Sequence, residues 1–421
     1  MERLARITKH ITVDGAQPPV LRPVQTAAAS PIVAKLKSKI AVLAKERSAL
    51  KAELLKAGET KVQDVTVEMA INGSRSIKTM VTETSDLDPN DGIFYRGRSL
   101  YEVNKILPKA PGGETGLPEG AFWLLLTGEV PSGEECRAFT EELHRRSAVP
   151  PNVYVTIDSL PTSVHPMTQL ATAMLAMQSS SVFTAKYNEG MKKTEYWEWA
   201  LEDALDLVAR IPVVAAYIYR RTFKDGKVPA YDSKLDWAAN YAQMLGVNGD
   251  EKFKECTRLY LMLHADHEGG NVSAHATHLV GSALSDPYYA WAAGICGLAG
   301  PLHGLANQEC LSWLLEVQKD LAGQKPTKEL LTAYAEKTLA SGKVIPGFGH
   351  AVLRKPDPRY MLEREFALKN TPNDPLFQLV DACYHAIPEV LQKTGKVKNP
   401  YPNVDCHSGQ LMYFYNLREQ N

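Results

Sequence analysis

Apolar residues at Leu36, Ile40, Leu43, Leu50 and Leu54, with lysines between them, predict an amphipathic helix over residues 34–56. Its plainest role is a surface helix docked on the body of the protein. Residues 1–33 lack a clean period and are rich in Pro, Ala, Thr and Val, which predicts a poorly ordered or transit-like lead-in. Val65, Val67 and Met69 alternate with polar residues before Asn72-Gly73, a pairing that predicts a small β hairpin near residues 62–82. Nearly every later segment has helical spacing. A glycine-rich loop at 112–120 leads into an apolar helix at 121–127, and proline pairs at 150–151 and 161–166 separate further helices. MTQLATAMLAMQ and YWEWALEDALDLVARIPVVAAYIYRRTF read as two long interior helices. DWAANYAQMLG and EKFKECTRLYLMLH give two more, and others are expected near 304–319, 327–341, 359–370 and 375–394. No fixed-period repeat or low-complexity tract interrupts this predominantly α pattern.

Composition narrows the class without changing it. Hydrophobic residues make up 44% and charged residues 23% of 421, the balance of a globular chain. The net charge of −1 gives no bulk attraction to nucleic acid or membrane. Residues 1–62 do carry twelve Lys/Arg against five Asp/Glu, and Arg3, Arg6 and Lys9 leave room for an organellar leader. The apolar run 288–306 is broken by Gly294, Gly297, Gly300, Pro301 and His303, so it reads as interior helix and loop rather than a membrane span. Six scattered cysteines, none in C-x-x-C, point to buried thiols in a reducing compartment.

The chemistry concentrates in three stretches. Residues 263–307 hold His264, His267, His275, His278 and His303, five of the eleven histidines. His303, in GPLHG, precedes a helical pattern; a neutral imidazole there suits donation to a developing oxyanion, and a buried histidine bonded to backbone fits the position as well. His350 stands between Gly349 and a basic run of Arg354, Lys355 and Arg359, a combination for an anionic substrate with a proton donor beside it, or for a solvated basic loop. Asp405, in PNVDCHSG, suits either a desolvated carboxylate base or a helix N-cap. The histidine pairs at i,i+3 lack HExxH or a completing carboxylate, so no metal is expected.

These stretches together resemble the citrate synthases of eukaryotic mitochondria. The segments that carry the resemblance are HADHEGGNVSAHATHLVGSALSDPYY, GLAGPLHGLANQE, VIPGFGHAVLRKPDPRY and KNPYPNVDCHSG, with weaker likeness elsewhere over roughly residues 35–415. The resemblance implies an all-α, many-helix homodimer with a minor N-terminal β hairpin. It implies a large domain at 34–302, a small closing domain at 303–408 and a return to the large domain at 409–421. It also implies condensation of acetyl-CoA with oxaloacetate and hydrolysis of the citryl thioester. Asp405 then falls on the base, His303 on the enol-stabilising donor and His350 on the proton donor to oxaloacetate. His267 and Arg359 match oxaloacetate-holding positions. Arg75, Lys193, Arg354, Lys398 and Asn403 match positions that contact CoA, and the backbone of 344–349 matches the adenine-side loop. Acetyl-CoA is a substrate, and no cofactor, nucleic acid or membrane partner is implied. The implied compartment is the mitochondrial matrix, with the cytoplasm as the alternative.

Two departures from the family pattern shape the expectation. Lys193 stands where many relatives carry an arginine, keeping the charge and losing the fork. The sequence stops at Asn421, sixteen residues after Asp405, whereas family members continue through helices that supply two more carboxylate-binding arginines. A C-terminally shortened chain of impaired or absent turnover is therefore one alternative, and a 2-methylcitrate synthase using propionyl-CoA is another.

Overall fold

The computed structural model describes residues 30–73, 77–78, 80–247, 250–350, 352–395 and 397–419. The expected lead-in at 1–33 falls almost wholly outside them. Helix α1 (Pro31–Lys56) starts on a proline, whose fixed φ suits the first helical turn. Only its first half docks: Ile32, Val33 and Leu36 pack with Trp123, Phe139, Leu143 and Leu205, while Leu50 and Leu54 stay exposed. Among the described residues of 62–82 the expected hairpin does not form. Val67–Ile71 form a short helix, α2, because Thr66 caps it by accepting the Met69 N–H. Val67 and Ile71 are each 77% exposed, so the alternating apolar face has nothing to pack against as a strand.

The hairpin lies just downstream. β1 (Ser85–Asp88) and β2 (Gly92–Tyr95) pair antiparallel with Ser85 opposite Tyr95, and β3 (Arg98–Ser99) adds a third, short strand. Asp88 closes the turn by accepting the N–H groups of Asn90 and Asp91 at 2.7 and 2.9 Å. Helices then follow in order: α3 (Leu100–Ile106), α4 (Pro118–Thr127), α5 (Gly133–Arg146), α6 (Pro151–Asp158) and α7 (Pro166–Met177). Next come α8 (Val182–Asn188), α9 (Tyr196–Phe223), α10 (Trp237–Leu245) and α11 (Glu251–Leu263). The run ends with α12 (Val272–Gly281), α13 (Pro287–Leu298), α14 (Ala306–Asp320), α15 (Lys328–Ala340), α16 (Pro358–Asn370), α17 (Pro375–Lys393) and α18 (Asp405–Phe414). Asp, Asn, Ser or Thr caps most of these starts.

Two cores matter for the site. One joins the sheet, α3 and α4 to Leu259, Met262 and Leu263 at the end of α11 and to Leu353 and Leu362 near the start of α16. The other is built from α14, α15 and α17 with Tyr360 and Cys406. The segments next to these two cores carry His267, His303 and His350, and Asp405 opens α18. The architecture is all-α with one minor sheet.

Candidate functional site

The segment between α11 and α12 is held from below by the sheet. The Tyr95 hydroxyl donates to the Leu263 carbonyl at 3.0 Å, and Ser85 Oγ accepts the Glu268 N–H at 2.6 Å. Gly269 lies so close to Met80 that an added Cβ would sit 2.0 Å from its sulfur and displace that side chain. This fixes His267. Its Nε2 is buried and has no hydrogen-bond partner within the chain, which is rare for a buried polar atom in a native fold. Burial, then the positive charge of Arg359, lowers its pKa to about 3, so the ring is neutral.

His350 stands 6.0 Å from His267, ring centre to ring centre. Its Nδ1 accepts the N–H groups of Val352 and Leu353 at 3.0 and 3.1 Å. An accepting Nδ1 places the proton of the neutral ring on Nε2, so this imidazole presents an N–H outward. Burial lowers its pKa, opposed by Asp357 and helped by Arg359 and Arg354. Gly347 and Gly349 have φ of 76° and 95°, a turn open to glycine. That turn is stitched to the segment before α18. The Gly349 N–H donates to the Tyr401 carbonyl and the Asn403 N–H to the Gly347 carbonyl, both at 2.9 Å, and Asn403 Nδ2 donates to the Gly349 carbonyl at 2.9 Å. Asn403 Oδ1 accepts the Asp405 N–H at 3.0 Å within its own segment, so Nδ2 bridges to the Gly349 turn while Oδ1 shapes the approach to α18.

Asp405 is the first residue of α18, not its N-cap; Val404 holds that position. The carboxylate is therefore not spent on capping. Burial raises its pKa to about 6, against the pull of Arg359 and with help from Asp357. Arg359, at the start of α16, is buried and gives its Nε and Nη2 to Asp357, with Nη2 to Oδ2 at 2.7 Å. Asp357 also caps α16 by accepting the Arg359 N–H at 2.9 Å. Burial works against the Asp357 charge, but Arg359 overrides it and holds the carboxyl below its ordinary value. Arg359 thus stands in the field of His267, His350 and Asp405 at once.

His303 joins from a third direction. It lies in the turn before α14, and its carbonyl accepts the Ala306 N–H at 3.0 Å. Burial lowers its pKa. Its Nε2 is 2.9 Å from Ser273 Oγ, which also donates to Asn271 Oδ1 at 2.7 Å, and Asn271 Nδ2 donates to the His267 carbonyl at 3.1 Å. A Ser273 hydroxyl turned to the imidazole instead would leave Nδ1–H as the free donor. Below it, Asn307 of α14 donates to Ser408 of α18, tying the His303 turn to the helix of Asp405.

Of the remaining expected contacts, Arg354 is tied to the hairpin turn by its N–H to the Pro89 carbonyl at 2.6 Å. Lys398 is exposed beside buried Asn399, next to the Gly349 turn. Lys193 is exposed in the short turn before α9 and bonds to none of the other site residues among those described. Arg75 lies outside the described residues. Among the described residues no three His, Cys, Asp or Glu side chains gather as a metal site. Sequence reasoning missed Asp357, Asn271 and Ser273. The run K-P-D-P-R did contain a signal for Asp357: an aspartate before proline marks an N-cap, and the arginine two residues on must share its carboxylate.

Residues 73–421 match the family "Citrate synthase, C-terminal domain". The chain is 56% identical over 365 residues to "Probable citrate synthase, mitochondrial" of Glossina morsitans morsitans, covering 86% of this chain and 78% of that one. It is 51% identical over 381 residues to "Citrate synthase, mitochondrial" of Xiphias gladius, covering 90% and 81%. The crystal structure of citrate synthase from Pyrobaculum aerophilum superposes with a TM-score of 0.72 at 29% identity, covering 85% of this chain and 88% of that one. A Thermoplasma acidophilum citrate synthase, solved as a ternary complex with carboxymethyl coenzyme A and oxaloacetate, shares the fold at a TM-score of 0.67 and 21% identity, covering 82% and 84%.

Proposed function

This chain belongs to the citrate synthase family, and from that premise we propose that His303, His350 and Asp405 carry the condensation of acetyl-CoA with oxaloacetate to citrate and CoA. The observation that carries the assignment is a buried arginine facing one carboxylate of raised pKa and two neutral imidazoles, one with an unpartnered ring nitrogen. Arg359 and His267 hold the oxaloacetate carboxylates, with Asp357 fixing the guanidinium. Asp405 takes a proton from the acetyl methyl group. His303 donates a hydrogen bond to the thioester oxygen, so the enol forms without a free negative charge. The enol carbon attacks the oxaloacetate carbonyl carbon, and the Nε2–H of His350 delivers its proton to the carbonyl oxygen. Water then cleaves the citryl thioester, releasing citrate and CoA.

The rest of the reading concerns assembly. Arg354, Lys398 and Asn403 line the CoA side, Asn403 by positioning the loop. The residues around α14, α15 and α17, with their own core, act as the small domain that closes on the large one, which excludes water from the enol. None of the residues of α12 is fully buried in the single chain; Leu279, Leu284, Tyr289 and Leu302 leave an apolar face along α12 and α13, and a second copy of the chain covers it in a homodimer. Relatives named as mitochondrial place the work in the mitochondrial matrix. A thiol-release assay with both substrates tests the activity: CoA and citrate should appear one to one and only when both are present, with propionyl-CoA slower. No CoA release above background from folded chain would overturn it.

A further inference from the structure

Glu363 lies one helical turn beyond Arg359 on α16 and is 1% exposed, yet neither of its carboxyl oxygens has a hydrogen-bond partner. A buried carboxyl without any donor is unusual enough to require an explanation. Its neighbours supply one. The charged groups that act on it are Arg359 from its own helix, Asp357 from the turn before it and Asp405 from α18. From α11, which packs across α16, Cys256 and Tyr260 both feel a Glu363 charge. The remaining neighbour, α3, presents Tyr101 to Asp357 and Glu365 rather than to Glu363.

Charge counting decides its state. Arg359 already answers Asp357 and faces Asp405. An ionised Glu363 would set three carboxylates around one guanidinium at the place where a dicarboxylate must bind. Its burial also works against ionisation, pushing its pKa well above the ordinary carboxylate value.

We propose that Glu363 is a specificity-determining residue of the oxaloacetate site: its carboxyl holds a proton while the dianion is bound, and loss of that proton turns it into a rival for Arg359. This rests on the citrate synthase reading of the site. Reciprocity then requires that oxaloacetate binding on the alkaline side takes up a proton, because bound substrate raises the proton affinity of Glu363. Affinity should weaken about tenfold per pH unit once the free form ionises.

The test is oxaloacetate binding by calorimetry across neutral to alkaline pH, in two buffers of different ionisation enthalpy, for the unsubstituted chain and for E363Q. The unsubstituted chain should show the alkaline weakening with proton uptake; E363Q, which cannot ionise, should show a flat ratio of alkaline to neutral affinity and no uptake. Parallel weakening in both proteins would overturn the proposal, while the citrate synthase reading would stand. Zero uptake by the unsubstituted chain throughout its weakening would overturn it without any variant, even if E363Q fails to fold. Absence of oxaloacetate binding at every pH would instead sink the functional reading on which it rests.

Discussion

Arg359 reaches the cleft only because Asp357 holds its other edge. The two are buried together, and removing one charge leaves the other without compensation. Asp357→Asn should therefore lower stability by about 3–5 kcal/mol in urea denaturation. It should also raise KM for oxaloacetate more than tenfold, because the guanidinium loses its orientation. At this scale the sequence supplies candidates for the site. His303, His350 and Asp405 stand out by their glycine, proline and basic neighbours. What it could not disclose is pairing across distance: that His303 meets Ser273, thirty positions away, or that the amide of Asn403 is occupied in joining two segments. Side-chain identity records chemistry, but not which partner consumes it.

Elements were legible where a helical stripe had a core to face. Helices α7, α9, α10, α11 and α14 to α17 fall close to their expected limits because their apolar positions pack in the cores, whereas α8 and α12 had no expected limits. The hairpin lies downstream of its expected place because alternation specifies a strand only where one face is covered, and Val65, Val67 and Ile71 are exposed. The stronger signal lay at Asp88-Pro89-Asn90-Asp91-Gly92, a turn sequence with its own side-chain acceptor. That turn matters for the site. Gly92 has φ of 89°, and a Cβ there would come 2.3 Å from the Pro358 ring at the start of α16. Gly92→Ala should cost about 1–3 kcal/mol in denaturation and, by shifting the residue next to Arg359, weaken oxaloacetate binding as well. Activity retained at full oxaloacetate affinity would show that the sheet does not support the arginine.

For the whole molecule, helical content was readable and assembly was not. Composition gave a near-neutral chain with no bulk charge to steer it, and periodicity cannot tell a core stripe from an interface stripe. In the single chain Leu279 on α12 is 66% exposed and Leu302, in the turn after α13, 83%, and the proposed dimer face rests on this exposure. Leu279→Lys should convert a dimer to a monomer in analytical ultracentrifugation while leaving the far-ultraviolet helical signal unchanged. A dimer of undiminished affinity in the variant would move the interface elsewhere.

The joining of three distant stretches into one catalytic centre is tested most directly by the pH dependence of kcat/KM for acetyl-CoA at saturating oxaloacetate. The base must be ionised to act, and burial raises the Asp405 pKa to about 6. The rate should therefore be level above that value and fall about tenfold per pH unit below it, and Asp405→Asn should abolish nearly all turnover while oxaloacetate still binds. A rate that holds constant through pH 6, or an Asp405→Asn chain that still makes citrate at the original rate, would contradict the account.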